Sequence, residues 1–262
     1  MFKKYSIIVL ISLSGLFSTV KSQDISTAGY DNGTNLNVLY RNDASAKIYA
    51  TTRGFGFLYR RGKHINAKTR SFYEIDAQNL KYPKEIKVSG DAINRRRFVY
   101  GKINNVFLIR GALGLQNTFF AKADNKAVEV RYSYSIGPTI ALAKPYYVQI
   151  SRTIASPSPP KTVESIAVFD DKTFSDGQSA SINVTGRARF LDGLSETKIY
   201  PAVTGKFNLS FEYAPYTNLI RAIETGITVD YFPKALPIMA RNPSENVVIT
   251  LHVGFVFGKK WF

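Results

Sequence analysis

Cysteine is absent from all 262 residues. That excludes a lipid-modified N-terminal cysteine, a disulfide scaffold and any thiolate metal site. Stability must come from hydrogen-bonded secondary structure and packing. Histidine is almost as scarce: His64 and His252 are the only two, too few for a multi-histidine metal centre. No His-Glu-x-x-His helix, phosphate-binding glycine loop or nucleophile elbow occurs. The sequence therefore assigns no catalytic residue, no cofactor and no metal ligand.

Long apolar runs are also missing, with one exception at the start. Met1 to Ser22 has a basic opening (Lys3, Lys4), an apolar stretch from Ser6 to Val20 and a small-residue exit at Val20-Lys21-Ser22. This is the layout of a secretory signal peptide, with cleavage expected between Ser22 and Gln23. The stretch falls short of the roughly 20 apolar residues that a spanning helix needs. Residues 1–22 are thus expected to be a signal peptide and residues 23–262 a single β domain. No later segment could cross a membrane as a helix, so a membrane location would require strands.

Acidic residues are outnumbered, 19 against 35 lysines and arginines, for a formal charge of +16. Lys3, Lys4 and Lys21 lie in the signal segment, which leaves +13 on the mature chain. Such a surplus favours anionic partners. For an exported protein these are lipopolysaccharide phosphates, acidic glycans or an acidic protein, and not nucleic acid.

What the chain does have is alternation. It contains 18 phenylalanines and 16 tyrosines, and apolar residues recur with period 2, the signature of strands with one apolar face. In Asn246–Gly258, residues Val247, Ile249, Leu251, Val253, Phe255 and Phe257 share one face. Ala127–Ser151, Lys198–Tyr213 and Asn218–Phe232 behave alike. Ala46–Tyr59, Ser71–Leu80 and Asn105–Phe120 follow, and Asn35–Arg41 is a weaker candidate, closed by a turn signal at Asn42-Asp43-Ala44-Ser45. Connections are uneven: Ala214–Thr217, Arg61–Arg70 and Ala121–Lys126 are short, whereas Lys81–Asn104 and Arg152–Thr197 are long. The longest contains Ser156-Pro157-Ser158-Pro159-Pro160, a composition that favours extended loop.

Short turns at one end and long loops at the other fit an antiparallel transmembrane β-barrel with long extracellular loops. If both chain ends lie on one side, the strand number is even, which makes eight. A secreted, soluble β-sandwich that binds a ligand would alternate equally. Aromatic placement leans toward the barrel, although tyrosines near strand ends also occur in sandwiches. Tyr132, Tyr134, Tyr146, Tyr147, Tyr200, Tyr213, Tyr216 and Tyr231 lie near strand ends, as interfacial girdles require. Phe255, Phe257, Trp261 and Phe262 close the chain as an aromatic strand signal. Phe262 falls on the opposite parity from Phe255 and Phe257, so a bulge or short extension is expected before it.

The signal segment, the strand and loop pattern and the closing Gly258-Lys259-Lys260-Trp261-Phe262 resemble the small outer-membrane β-barrel proteins of the Bacteroidetes type. The resemblance implies a multi-pass barrel in the outer membrane of a Gram-negative cell, in contact with outer-membrane lipid and lipopolysaccharide. It brings no agreed activity and no functional residues.

Within such a barrel the opposite faces of the strands would put Glu74, Asp76, Arg110, Glu129, Arg131, Lys206, Glu212, Glu224 and Asp230 inside. Charges so confined must pair or stay hydrated. Eight strands enclose a space that side chains fill, which disfavours a diffusion pore. The triplet Arg95, Arg96 and Arg97 lies in a basic loop suited to phosphate groups. His252 with a serine and a carboxylate from adjacent strands would make the chain a lipid-modifying enzyme. The expected function is otherwise non-enzymatic: a structural or partner-binding barrel, an accessory subunit of an outer-membrane assembly or secretion complex that contacts other outer-membrane or periplasmic proteins.

Overall fold

The structure is a computed structural model that describes residues 40–66, 68–89, 97–121, 128–154, 161–168, 182–213, 218–240 and 244–262. Ser22, Gln23, Arg95, Arg96, Tyr216, most of the expected first strand, the turn 214–217 and the Ser156–Pro160 stretch lie outside them.

Eight strands form one closed antiparallel sheet: β1 (Asn42–Thr51), β2 (Gly54–His64), β3 (Thr69–Leu80), β4 (Asn104–Phe120), β5 (Glu129–Pro145), β6 (Lys198–Glu212), β7 (Leu219–Leu236) and β8 (Glu245–Trp261). Each pairs with its neighbours in sequence, and β8 closes on β1. This up-and-down order leaves no unpaired edge, which is the requirement for strands in lipid.

The stagger follows from the register. Directly opposed residues run Ala44, Arg61, Tyr73, Leu113, Ile136, Gly205, Val229 and Ile249 around the sheet. Ala44, however, pairs with Lys259 on β8. The circuit therefore returns ten residues out of step, from Ile249 to Lys259. Closing with such a stagger tilts the strands by roughly 35–45° to the barrel axis.

The count of eight stands, but its membership differs from the sequence expectation. Ala46–Tyr59 is not one strand; it is the middle of the β1–β2 hairpin, turned at Thr52-Arg53. Gly54, after the turn, has φ 142°, and a Cβ there would meet the Asn79 carbonyl oxygen at 2.1 Å. The expected turn at Asn42–Ser45 is the start of β1, paired on both sides. Tyr40 and Arg41, the described end of the expected first strand, are outside the sheet.

Ala127–Ser151 also divides. The barrel strand β5 ends at Pro145, and Tyr147–Ile154 pairs instead with Lys161–Val168 and Ile182–Arg187. The expected long loop thus carries a three-stranded sheet of its own, because Tyr147–Ile154 itself is a short β-favouring run rather than loop composition. A small hairpin, Lys87–Val88 with Phe98–Val99, occupies the β3–β4 connection.

The strand ends joined by 65–68, 121–128 and 213–218 lie at the end that holds both termini of the barrel sheet, and those joined by 52–53, 81–103, 146–197 and 237–244 lie at the other. At that second end the inward positions become apolar. Leu80, Val106, Leu108, Ala141, Ala143, Tyr200, Ala202, Phe232 and Val248 form a buried cluster with Leu236 and Ile238. The segment after β7 is stitched to the approach to β4: Ile103 N–H donates to Ile238 O at 2.9 Å, Ala240 N–H to Gly101 O at 2.8 Å, and Asn104 Nδ2 to Pro237 O at 2.8 Å. Since β4 and β7 are three strands apart in a ring of eight, this segment crosses the mouth.

Candidate functional site

Polarity is inverted relative to a water-soluble domain. Outward positions carry Ile75, Leu113, Ile136, Val203, Ile227, Ile249, Val253, Phe255 and Phe257, all exposed. Inward positions carry the charges, most of them nearly inaccessible, with Glu129 and Lys260 partly exposed toward the terminal rim. Exposed apolar surface on this scale needs lipid to cover it, and a charged interior needs internal partners.

Those partners are present. In the middle of the lumen Arg60 spans two carboxylates, Glu74 at 2.9 Å and Glu224 at 2.8 Å. Lys47 meets Glu224 at 2.7 Å, while Lys206 meets Asp76 at 2.7 Å and Glu74 at 3.1 Å. Arg110 forks onto Asp230 at 2.7 and 2.8 Å and reaches Asp76 at 3.1 Å and Gln78 at 2.8 Å. The Tyr49 hydroxyl donates to Asp76, and Gly56 makes room for its ring, since a Cβ would lie 2.4 Å from Tyr49 Cζ. Nearer the terminal end Arg70 faces Asp43 at 3.1 Å, Arg131 holds Glu129 at 2.7 Å and Glu212 at 2.6 Å, and Lys260 reaches Glu212 at 2.8 Å.

The two groups are each neutral. Lys47, Arg60, Arg110 and Lys206 balance Glu74, Asp76, Glu224 and Asp230; Arg70, Arg131 and Lys260 balance Asp43, Glu129 and Glu212. The structure brings all the inward charges named from the sequence, Arg110, Glu129, Arg131, Lys206, Glu212, Glu224 and Asp230 among them, into these groups. Sequence reasoning missed Asp43, Lys47, Arg60, Arg70 and Lys260. Three of these five, Asp43, Lys47 and Arg60, lie on β1 and β2, where a hairpin read as one strand hides which face is inside, while Arg70 lies at the start of β3 and Lys260 near the end of β8. One signal was available: the sequence-derived set had three cations against six acids, an imbalance no closed lumen tolerates.

His252 points into the same lumen. Its Nε2 is 3.4 Å from Lys47 Nζ and its Nδ1 is 3.5 Å from Thr228 Oγ1. Among the described residues its ring nitrogens contact no serine or carboxylate of the kind expected of a lipid-modifying centre, and its ring lies 5.6 Å from that of Tyr49.

At the chain end, β8 runs in unbroken register with β1 from His252 to Trp261. No bulge intervenes. Trp261 shares the outward parity of Phe255 and Phe257, and Phe262 lies past the strand with its ring 5.2 Å from Tyr40. Of the expected girdle, Tyr134, Tyr213 and Tyr231 are exposed outward. Tyr200 and Tyr146 are buried instead, the first in the apolar cluster at the mouth and the second among Phe98, Val148 and Ile150. Arg97 is exposed. An open depression of about 520 Å³ lies at the same mouth, lined by Asn104, Pro145, Glu196, Lys198 and Pro237 among others.

A closed eight-stranded antiparallel meander, apolar outside and charged inside, defines a transmembrane β-barrel of the outer-membrane class. Among the described residues no helix is long and apolar enough to cross a membrane. Comparison with known proteins adds little to that class: no family model and no curated protein matches the chain. Among solved structures, Neisserial surface protein A is similar over 85% of this chain and 97% of its own, at 10% identity and a TM-score of 0.40. Ail, the attachment invasion locus protein of Yersinia pestis, in complex with the heparin analogue sucrose octasulfate, is similar over 85% and 100%, at 9% identity and a TM-score of 0.41. The class rests on the sheet closure and the inverted polarity, not on these values.

Proposed function

We propose that the protein is a non-enzymatic, non-conducting scaffold of the outer membrane. Its chain termini and short turns face the periplasm. Its long segments, 81–103, 146–197 and 237–244, lie outside the cell and bind a partner, as an accessory subunit of a larger outer-membrane assembly or secretion complex. The observation that carries this reading is the filled lumen: two neutral ion-pair groups occupy it and an apolar cluster closes the mouth with the long segments. Without a path for solutes, function falls to the loops.

Because the lumen is neutral, the +13 surplus of the mature chain sits on the loops, rims and outer face. An anionic partner follows, with lipopolysaccharide phosphates first. Arg95, Arg96 and Arg97 are the proposed contacts, a reading that rests on sequence for the first two. Membership of the Bacteroidetes-type barrel family belongs to the same proposal and is supported by the sequence features that suggested it.

Two measurements test it. Purified protein in a planar bilayer is expected to give no resolved conductance steps at neutral pH, and regular steps would overturn the filled-lumen reading. Affinity purification in mild detergent is expected to recover a stoichiometric envelope protein, and recovery of a lone monomer would end the accessory-subunit proposal. The leader is tested separately: intact mass of protein extracted from membranes is expected to begin at Gln23.

A further inference from the structure

Within the described residues of the eight strands, the exposed basic side chains of outward parity gather in one part of one rim, while at the opposite rim Lys81 lies over Phe55 and Lys234 over Tyr200. At the terminal end, Arg61 and Lys63 on β2, Lys259 on β8 and Arg221 on β7 are all exposed and of outward parity. On the same end of β3 to β6 the outward residues are Ser71, Tyr73, Asn117, Phe119, Val130 and Phe211, with no charge. Cations that merely snorkel to an interface would not gather on one side.

The register gives the cations a common focus. Arg61 and Lys259 both oppose Ala44, one from each side of β1. Their Cα atoms are two strand spacings apart, roughly 10 Å, within reach of one phosphate held over the alanine. One step toward the rim, Asn42 lies between Lys63 and Trp261; one step into the bilayer, Ala46 lies between Tyr59 and Phe257. The β1 face is thus a trough with short side chains on its floor, aromatic walls in the apolar band and basic walls at the headgroup level. The Arg61 guanidinium lies 5.7 Å from the Trp261 ring centroid. None of the ion pairs among the described residues includes Arg61, Lys63 or Lys259. The one outward acid described on these strands is Glu245, at the opposite end, and Arg53 holds it.

We propose that this seam binds one anionic phospholipid of the periplasmic leaflet, its phosphate between Arg61 and Lys259 and an acyl chain along Ala44 and Ala46. The site rests on the proposed orientation, with the termini in the periplasm. An anionic headgroup complements a cation cluster with no outward acid near it, whereas a zwitterionic one does not.

The test uses the full mature barrel in nanodiscs of mixed phosphatidylethanolamine and phosphatidylglycerol, with retained lipid counted by native mass spectrometry. Wild-type protein is expected to keep one phosphatidylglycerol with a preference of roughly thirtyfold, the scale set by two basic residues at an anionic surface. The R61Q/K259Q variant should lose that preference. Ala44→Phe, which keeps the charges and fills the trough, should lose it as well, while Lys84→Gln at the other end should not. Equal retention of both lipids by wild type would overturn the site, as would a preference untouched by R61Q/K259Q. Displacement of phosphatidylglycerol by added lipid A would overturn the assignment to the periplasmic leaflet. A protein without a heat-shifted folded band on gels would overturn the membrane reading itself, an outcome distinct from a folded barrel with no lipid preference.

Discussion

Replacing Arg110 with alanine is expected to destabilise the folded barrel by about 3–5 kcal/mol, the usual cost of removing one partner from a buried ion pair. The loss concentrates on Asp230. That carboxylate takes two hydrogen bonds from the Arg110 fork, and its remaining contact among the described residues is the Thr139 hydroxyl at 3.5 Å. Asp76 fares better, because Lys206 and Tyr49 stay with it. Urea unfolding of the protein refolded in lipid vesicles, read by the mobility of the folded band, measures the difference. The double variant Arg110→Met with Asp230→Leu should recover most of the loss, since it removes both charges and leaves apolar volume. Arg131→Ala should cost less, because Glu129 beside it is 15% exposed and water can replace part of the contact. If Arg110→Ala unfolds at the wild-type midpoint, the lumen is hydrated and the plug reading fails.

Val253→Arg is expected to cost about 2–4 kcal/mol in vesicles, the penalty of a cation on the lipid face at the bilayer midplane. Val253 lies at the centre of β8 and is 53% exposed, between the inward His252 and Gly254. A surface substitution of that exposure in a water-soluble barrel would change stability by about 0.5 kcal/mol or less. Lys259→Leu, on the same face at the rim, should shift stability by no more than about 1 kcal/mol. The contrast between the two positions measures where the bilayer lies. An unchanged midpoint for Val253→Arg would remove the membrane from the account.

The two faces of most strands were legible in the sequence for a local reason. In extended chain the side-chain direction reverses at every residue, so Phe255 and Phe257 must share a face whatever the rest of the molecule does. The same rule explains the error at Ala46–Tyr59. Outward residues have even numbers up to Ala50 and odd numbers from Phe55 onward, and that switch of parity is the mark of the hairpin turn. The turn residues Thr52 and Arg53 lack the asparagine-glycine chemistry that announces a hairpin, so composition gave no warning. Parity then supplied the correct count from an incorrect member, because any even total near seven satisfies it.

The three-stranded sheet in 146–197 was hidden differently. Tyr147–Ser151 has strand composition and continues the alternation of the preceding strand, so it is Lys161–Val168 and Ile182–Arg187, beyond the proline and serine of 156–160, that run against the expected loop. At the chain end the two alternatives, a bulge or a short extension, resolve to the extension, with Phe262 past the end of the strand. Trp261, not Phe262, completes the outward row, so the register needs no bulge.

By itself, then, the sequence determined β structure, the side of the sheet for most residues, the lack of a second long apolar run after Val20 and the presence of a charged interior. These depend on neighbours in the chain. The tertiary structure decided which charges meet. Lys47 and Glu224 are 177 positions apart, and Arg110 and Asp230 are 120 apart. Their pairing depends on the ten-residue stagger with which β8 closes on β1, a property of the whole ring. Closure also decided that the interior is neutral, that an apolar cluster seals one mouth, and that Arg61 and Lys259 flank the same alanine. No local pattern encodes these, because each joins residues that only the closed sheet makes neighbours.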